Sequence, residues 1–82
     1  MDNYEDLLKK TTELELIKIG NKLKALRKAK GYSSPDKFAY EHNLNRSQYG
    51  KYEAGRTNIT IGTLVGILIH LEVNLQEFFS EW

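Results

Sequence analysis

The sequence predicts an all-α protein, a compact five-helix bundle with a short extra helix or turn at its N-terminus. Three observations point there. Apolar residues recur at three- and four-residue spacing along most of the 82-residue chain. A capping residue precedes each apolar stretch. No segment alternates apolar and polar as a half-buried strand would. The organisation expected is an N-terminal extension over residues 1–12 and one domain over residues 13–82, enough for a single modest core.

The elements follow in order. Tyr4, Leu7, Leu8 and Thr11 keep helical spacing in the extension. Thr12 and Glu15 have the spacing of a capping box, so the first main helix is expected to start there. Leu16, Ile19, Leu23 and Leu26 form its apolar stripe, the lysines lie mostly off that stripe, and Gly31 stops it. Ser34 caps a second helix with Pro35 in its first position and Phe38 and Ala39 facing inward. Asn43 makes a sharp turn, Asn45 caps a third helix with Gln48 as its capping-box partner, and Gly55 ends it. Thr60 caps a fourth helix, apolar on most sides through Ile61, Leu64, Val65, Ile67, Leu68 and Leu71. Gly62 and Gly66 interrupt it, at a cost of about 1 kcal/mol each against Ala, and suggest close helix contact. Asn74 caps a last helix, Leu75 to Trp82.

Composition excludes several classes. Hydrophobic residues are 40% of the chain, too many for a disordered protein. There is no cysteine, hence no disulfide and no thiolate metal site. No apolar run is long enough to span a membrane, and Met1-Asp2-Asn3 does not open a signal peptide, so a cytoplasmic location is expected. His42 and His70 are the only histidines, both read as surface residues, with no metal or catalytic spacing around them. The chain reads as neither an enzyme nor a cofactor protein.

Charge is informative in its distribution. The total is +1, but residues 18–57 carry ten Lys and Arg against three acids, net +7, flanked by two segments of −3. A basic middle of this kind favours nucleic acid as a partner. The third helix lies within it. Leu44, Tyr49 and Tyr52 share one face, and Arg46, Ser47, Gly50 and Lys51 share the other. A helix this short does not hold itself in water, so the tyrosines must pack on something and the polar face is offered outward.

At this point the chain resembles the phage-repressor-like helix-turn-helix family, of the Cro and xenobiotic-response-element type. The resemblance covers about residues 16–79. It rests on Leu23-x-x-Leu26-Arg27, Gly31, Phe38-Ala39, Leu44-Asn45-Arg46-Ser47, Tyr49, Glu53-x-Gly55, Leu64, and Leu71-x-Val73-x-Leu75. It implies a lambda-repressor-like fold and a sequence-specific transcriptional regulator. Such a regulator usually binds a palindrome as a homodimer, with helix 45–54 in the major groove. Base contacts are then expected from Arg46, Ser47, Gly50 and Lys51, and phosphate contacts from Ser34, Gln48, Arg56, Thr57 and Asn58. Arg27 and Glu53 are implied as a structural ion pair. The chain departs from the family where Ser34-Pro35-Asp36 replaces a phosphate-gripping Gln, and where Asn43 and Glu72 stand for the usual glycines. Glu72 is expected to require a different C-cap.

The alternative is a protein-interaction module, in its main variant an antitoxin-like protein with a toxin-like partner. It is motivated by Tyr4, Leu7 and Leu8 at one end and Phe78, Phe79 and Trp82 at the other, more apolar surface than one chain is expected to bury. The same residues are candidates for a homodimer surface.

Overall fold

A computed structural model describes residues 2–82. It consists of α1 (Asp2–Ala29), α2 (Pro35–Glu41), α3 (Arg46–Glu53), α4 (Ile61–Leu71) and α5 (Leu75–Phe78). The molecule measures 45 × 26 × 21 Å. At 1.5 Å per residue α1 alone is about 42 Å long, so it sets the long dimension.

The helix does not begin again at Thr12. It runs through without a break, and the Thr12–Glu15 capping box is not formed. The reason is local: residues 3–14 hold good helix formers and no Gly or Pro, so nothing stops the helix there. Glu15 instead meets Lys18 at 3.4 Å and accepts from Trp82 Nε1 at 3.0 Å.

Below that arm α1 joins the core. Leu23, Phe38, Ala39, Tyr49, Leu64, Ile67, Leu68, Leu71 and Phe78 are buried together, four of them from α4. Gly20 is buried on the same side of α1. A Cβ there would overlap the carbonyl oxygen of Glu53 and approach that of Tyr52 to 2.7 Å. This glycine, which sequence reasoning passed over, brings α1 against the end of α3. Gly62 and Gly66 have no such purpose, since a Cβ on either would meet nothing within 4 Å.

The helix ends share one device. At Asn43, Gly55 and Glu72 the backbone turns left-handed, with φ of 60°, 69° and 60°. Each time the next amide bonds five residues back: Leu44 to Ala39, Arg56 to Lys51, and Val73 to Leu68. Glu72 therefore keeps the family's C-cap rather than requiring another, at the ~1–2 kcal/mol that a left-handed non-glycine residue costs. The last helix is shorter than expected. It stops at Phe78, and turns carry the chain back so that Trp82 lies on α1. Lys18 Nζ donates to the Trp82 carbonyl at 3.1 Å and sits 4.6 Å from the indole centre.

Candidate nucleic-acid interface

The site is built on α3. The turn at Asn43 aims the chain, and Leu44 N donates to Ala39 O at 2.8 Å, closing α2 onto it. Asn45 Oδ1 then accepts from Gln48 N at 2.8 Å. The return half of the expected capping box is not formed among the described residues. The Gln48 side chain instead lines a cavity of about 350 Å³ between α3 and α4, with Tyr52, Gly66 and His70.

The inner face of α3 is held by charge as well as packing. Arg27 donates to Glu53 twice, Nε to Oε2 at 2.7 Å and a terminal nitrogen to Oε1 at 3.0 Å. Its other terminal nitrogen donates to the Tyr32 carbonyl at 2.7 Å. Both side chains are buried, Arg27 at 2% exposure. The hydrogen bond to Glu53, against the opposing effect of burial, keeps the guanidinium more firmly protonated than usual. Tyr49 is buried beside this pair, and its hydroxyl has no partner of hydrogen-bonding geometry among the described residues. Burial first, and then Glu53, push its ionisation far above the normal phenol range. Glu53 thus ties the C-terminal end of α3 to α1, where Gly20 permits the approach.

The outer face is open. Arg46, Ser47 and Lys51 are exposed and Gly50 is half-buried. A Cβ on Gly50 would meet nothing within 4 Å, so the centre of this face is a shallow gap. These four residues come together because they share one side of one helix. Arg56 and Asn58 are exposed and Thr57 half-buried just after it. Arg56 is placed by its amide, which bonds Lys51 O at 3.0 Å. Ser34 lies on a separate element, and its hydroxyl is already engaged as the α2 cap, accepting from Lys37 N at 3.1 Å.

The two histidines, read from the sequence as surface residues, are half-buried and lie against one another. His42, at the C-cap of α2, stacks on His70 of α4 with ring centres 4.3 Å apart. Its Nε2 is 3.1 Å from the Tyr32 hydroxyl. Burial, then the neighbouring His70, lower its pKa, with Glu41 opposing. Among the described residues no three His, Cys, Asp or Glu side chains gather as a metal site would require, and no helix is long and apolar enough to cross a membrane.

Comparison with known proteins agrees with this geometry. A helix-turn-helix family matches residues 23–78. Control protein C.MunI from Mycoplasma sp. is 40% identical over 65 residues, covering 79% of this chain and 88% of that one. The crystal structure of the restriction-modification controller protein C.AhdI from Aeromonas hydrophila superposes with a TM-score of 0.71 at 32% identity. That match covers 80% of this chain and 98% of the other. These relatives favour the DNA-binding reading over the toxin-binding one, and both are regulators by name. With its turn at Asn43, its buried Arg27–Glu53 clamp and its open basic face, this chain belongs to the helix-turn-helix family and is a sequence-specific DNA-binding transcriptional regulator.

Proposed function

We propose that this protein controls transcription of restriction–modification genes by binding an operator as a homodimer, with α3 in the major groove. The observation that carries the reading is the division of α3. Its inner side is clamped through Glu53, while its outer side presents Arg46, Ser47 and Lys51, none in an ion pair among the described residues. The controller function comes from the relatives at 40% and 32% identity.

In this reading Arg46 bonds a guanine edge in bidentate fashion, and Ser47 and Lys51 read neighbouring positions. Gly50 leaves room for a base edge. Arg56, Thr57 and Asn58 hold phosphates and set the register without reading sequence. Gln48 and Ser34 contribute at most one further phosphate contact each, through whatever hydrogen-bonding capacity their present roles leave. The protein works in the cytoplasm, where its DNA is.

The dimer surface supported best is the outer side of α4. Ile61, Val65 and Ile69 fall at four-residue spacing, with Ile61 60% and Ile69 68% exposed. Beside them Val65, Leu68, Ile69, Val73 and Leu75 line an apolar groove of about 310 Å³. Phe78, a dimer candidate from sequence, is fully buried in its own chain, so the C-terminal end contributes less than expected. Selecting bound duplexes from a random pool, then measuring anisotropy on the recovered site and a scrambled one at two salt concentrations, tests the reading. A palindrome bound far more tightly than the scrambled duplex is the expected result. Equal binding of both would overturn it.

A further inference from the structure

Tyr40 is 74% exposed, more than any other large apolar side chain among the described residues. It follows Phe38 and Ala39 on α2, which are fully buried, and points away from the core they join. Other tyrosines serve the fold. Tyr32 meets His42 through its hydroxyl, and Tyr49 packs its ring on Phe38. Among the described residues nothing comparable holds the ring or the hydroxyl of Tyr40.

Its position suggests what it meets. The Tyr40 carbonyl accepts from Asn43 N at 3.3 Å, in the turn that leads into α3. Its side chain borders an open recess of about 580 Å³, together with Glu41, Asn43, Asn45 and Arg46. Asn45 caps α3 and Arg46 opens it. Tyr40 therefore stands beside the end of α3 that presents Arg46. When the second helix of a helix-turn-helix lies in the major groove, the first crosses the sugar-phosphate backbone. Here α2 is that first helix. Local charge neither draws nor repels a phosphate, since Asp36 and Glu41 are matched by Lys37 and Arg46, all four exposed. What remains is hydrogen bonding, and a tyrosine hydroxyl is a neutral donor.

We infer that Tyr40 is a positioning residue for double-stranded DNA. Its hydroxyl donates to a backbone phosphate beside the base pair that Arg46 meets, and so fixes the angle at which α3 enters the groove. This contact presupposes that α3 is the groove helix, as proposed above. It also answers a gap at the other end of α2. There Ser34-Pro35-Asp36 stands in place of a phosphate-gripping Gln, and the Ser34 hydroxyl is engaged with Lys37 N. Tyr40 supplies from the C-terminal end of α2 a backbone contact that its start lacks.

The test compares the full-length wild type with Tyr40→Phe on the selected operator and on a scrambled duplex. Tyr40→Phe is expected to bind both about fivefold more weakly, the effect of one neutral hydrogen bond. The salt slope is expected to stay the same, because a hydroxyl displaces no counterion. The melting temperature is expected to stay the same, because the side chain is exposed. The operator is then scanned with methylphosphonate, which makes one phosphate at a time neutral. At one position in each half-site the substitution should cost the wild type about fivefold more than it costs Tyr40→Phe. At all other positions the two costs should agree. A Tyr40→Phe variant that binds as the wild type does, or two scans that coincide everywhere, overturns the inference. So does weaker binding with a lower melting temperature, which would make the hydroxyl structural. Failure of the operator reading looks different. Wild type that binds operator and scrambled duplex alike overturns that reading, while an equal loss by Tyr40→Phe on both still supports the phosphate contact. Wild type that binds neither duplex overturns both.

Discussion

The two sides of α3 carry opposite assignments within eight residues. On the inner side Tyr49 and Glu53 are buried, and each is fixed by neighbours on other helices. On the outer side Arg46, Ser47 and Lys51 are exposed, and neither Arg46 nor Lys51 is in an ion pair among the described residues. The difference teaches where the helix gets its order. Eight residues are too few to be helical alone. The inner side supplies the order, and the outer side is free to be chosen for what it binds. Substitutions inside should change stability first, and substitutions outside should change binding alone.

The largest effect is expected at the clamp. Glu53→Ala leaves the Arg27 guanidinium buried without its counter-charge, a loss of ~3–5 kcal/mol. In a domain this size each kcal/mol shifts Tm by about 4–8 °C, so thermal melting should fall by tens of degrees. A variant melting at the wild-type temperature would break the comparison, since the inner side would not be what holds α3. Next comes Gly20→Ala. The added methyl meets backbone carbonyls that have no rotamer to move to, so α1 and α3 must separate. A loss of ~1–3 kcal/mol in denaturant unfolding is expected.

The outer side predicts the reverse pattern. Arg46→Ala should cost ~1–3 kcal/mol in specific binding and relax preference at one base pair. Its melting temperature should stay at the wild-type value, because the side chain is exposed. Arg56→Ala should weaken all duplexes alike and lower the salt slope by about 1. Equal losses on operator and random DNA from both arginines would erase the division between reading and positioning.

The smallest effect is a pH dependence at the edge of the inner side. His42 has a folded pKa below its ordinary value of 6.5. The unfolded chain therefore takes the proton first as pH falls, and stability is lost from about pH 6.5 down to the folded pKa. Above that window it is flat, because the ring is neutral in both states. Melting between pH 5 and 8 should show a shallow acid-side decline that His42→Gln reduces.

Much of this molecule was legible in its residues. Caps are local chemistry, so Ser34, Asn45, Thr60 and Asn74 announced the starts of α2 to α5. The basic middle of the chain and the open face of α3 could be read from order and helical angle alone. Gly20 was missed although a signal existed, a glycine on the buried side of an amphipathic helix. His42 and His70 are 28 positions apart, and nothing in their spacing told that the rings stack. Thr12 illustrates the opposite error. Its pattern satisfies a cap, but a cap forms only where the helix has a reason to start.

What the sequence determined by itself is helix placement, the αL turns at Asn43 and Gly55, and which side of α3 is polar. Those depend on backbone preferences and on side chains within a turn of one another. Tertiary structure alone decided that Trp82 folds back onto α1. It also decided that Gly20, rather than Gly62 or Gly66, marks the close contact between helices. Such outcomes rest on which surfaces meet through space, and sequence separation carries no direct record of that.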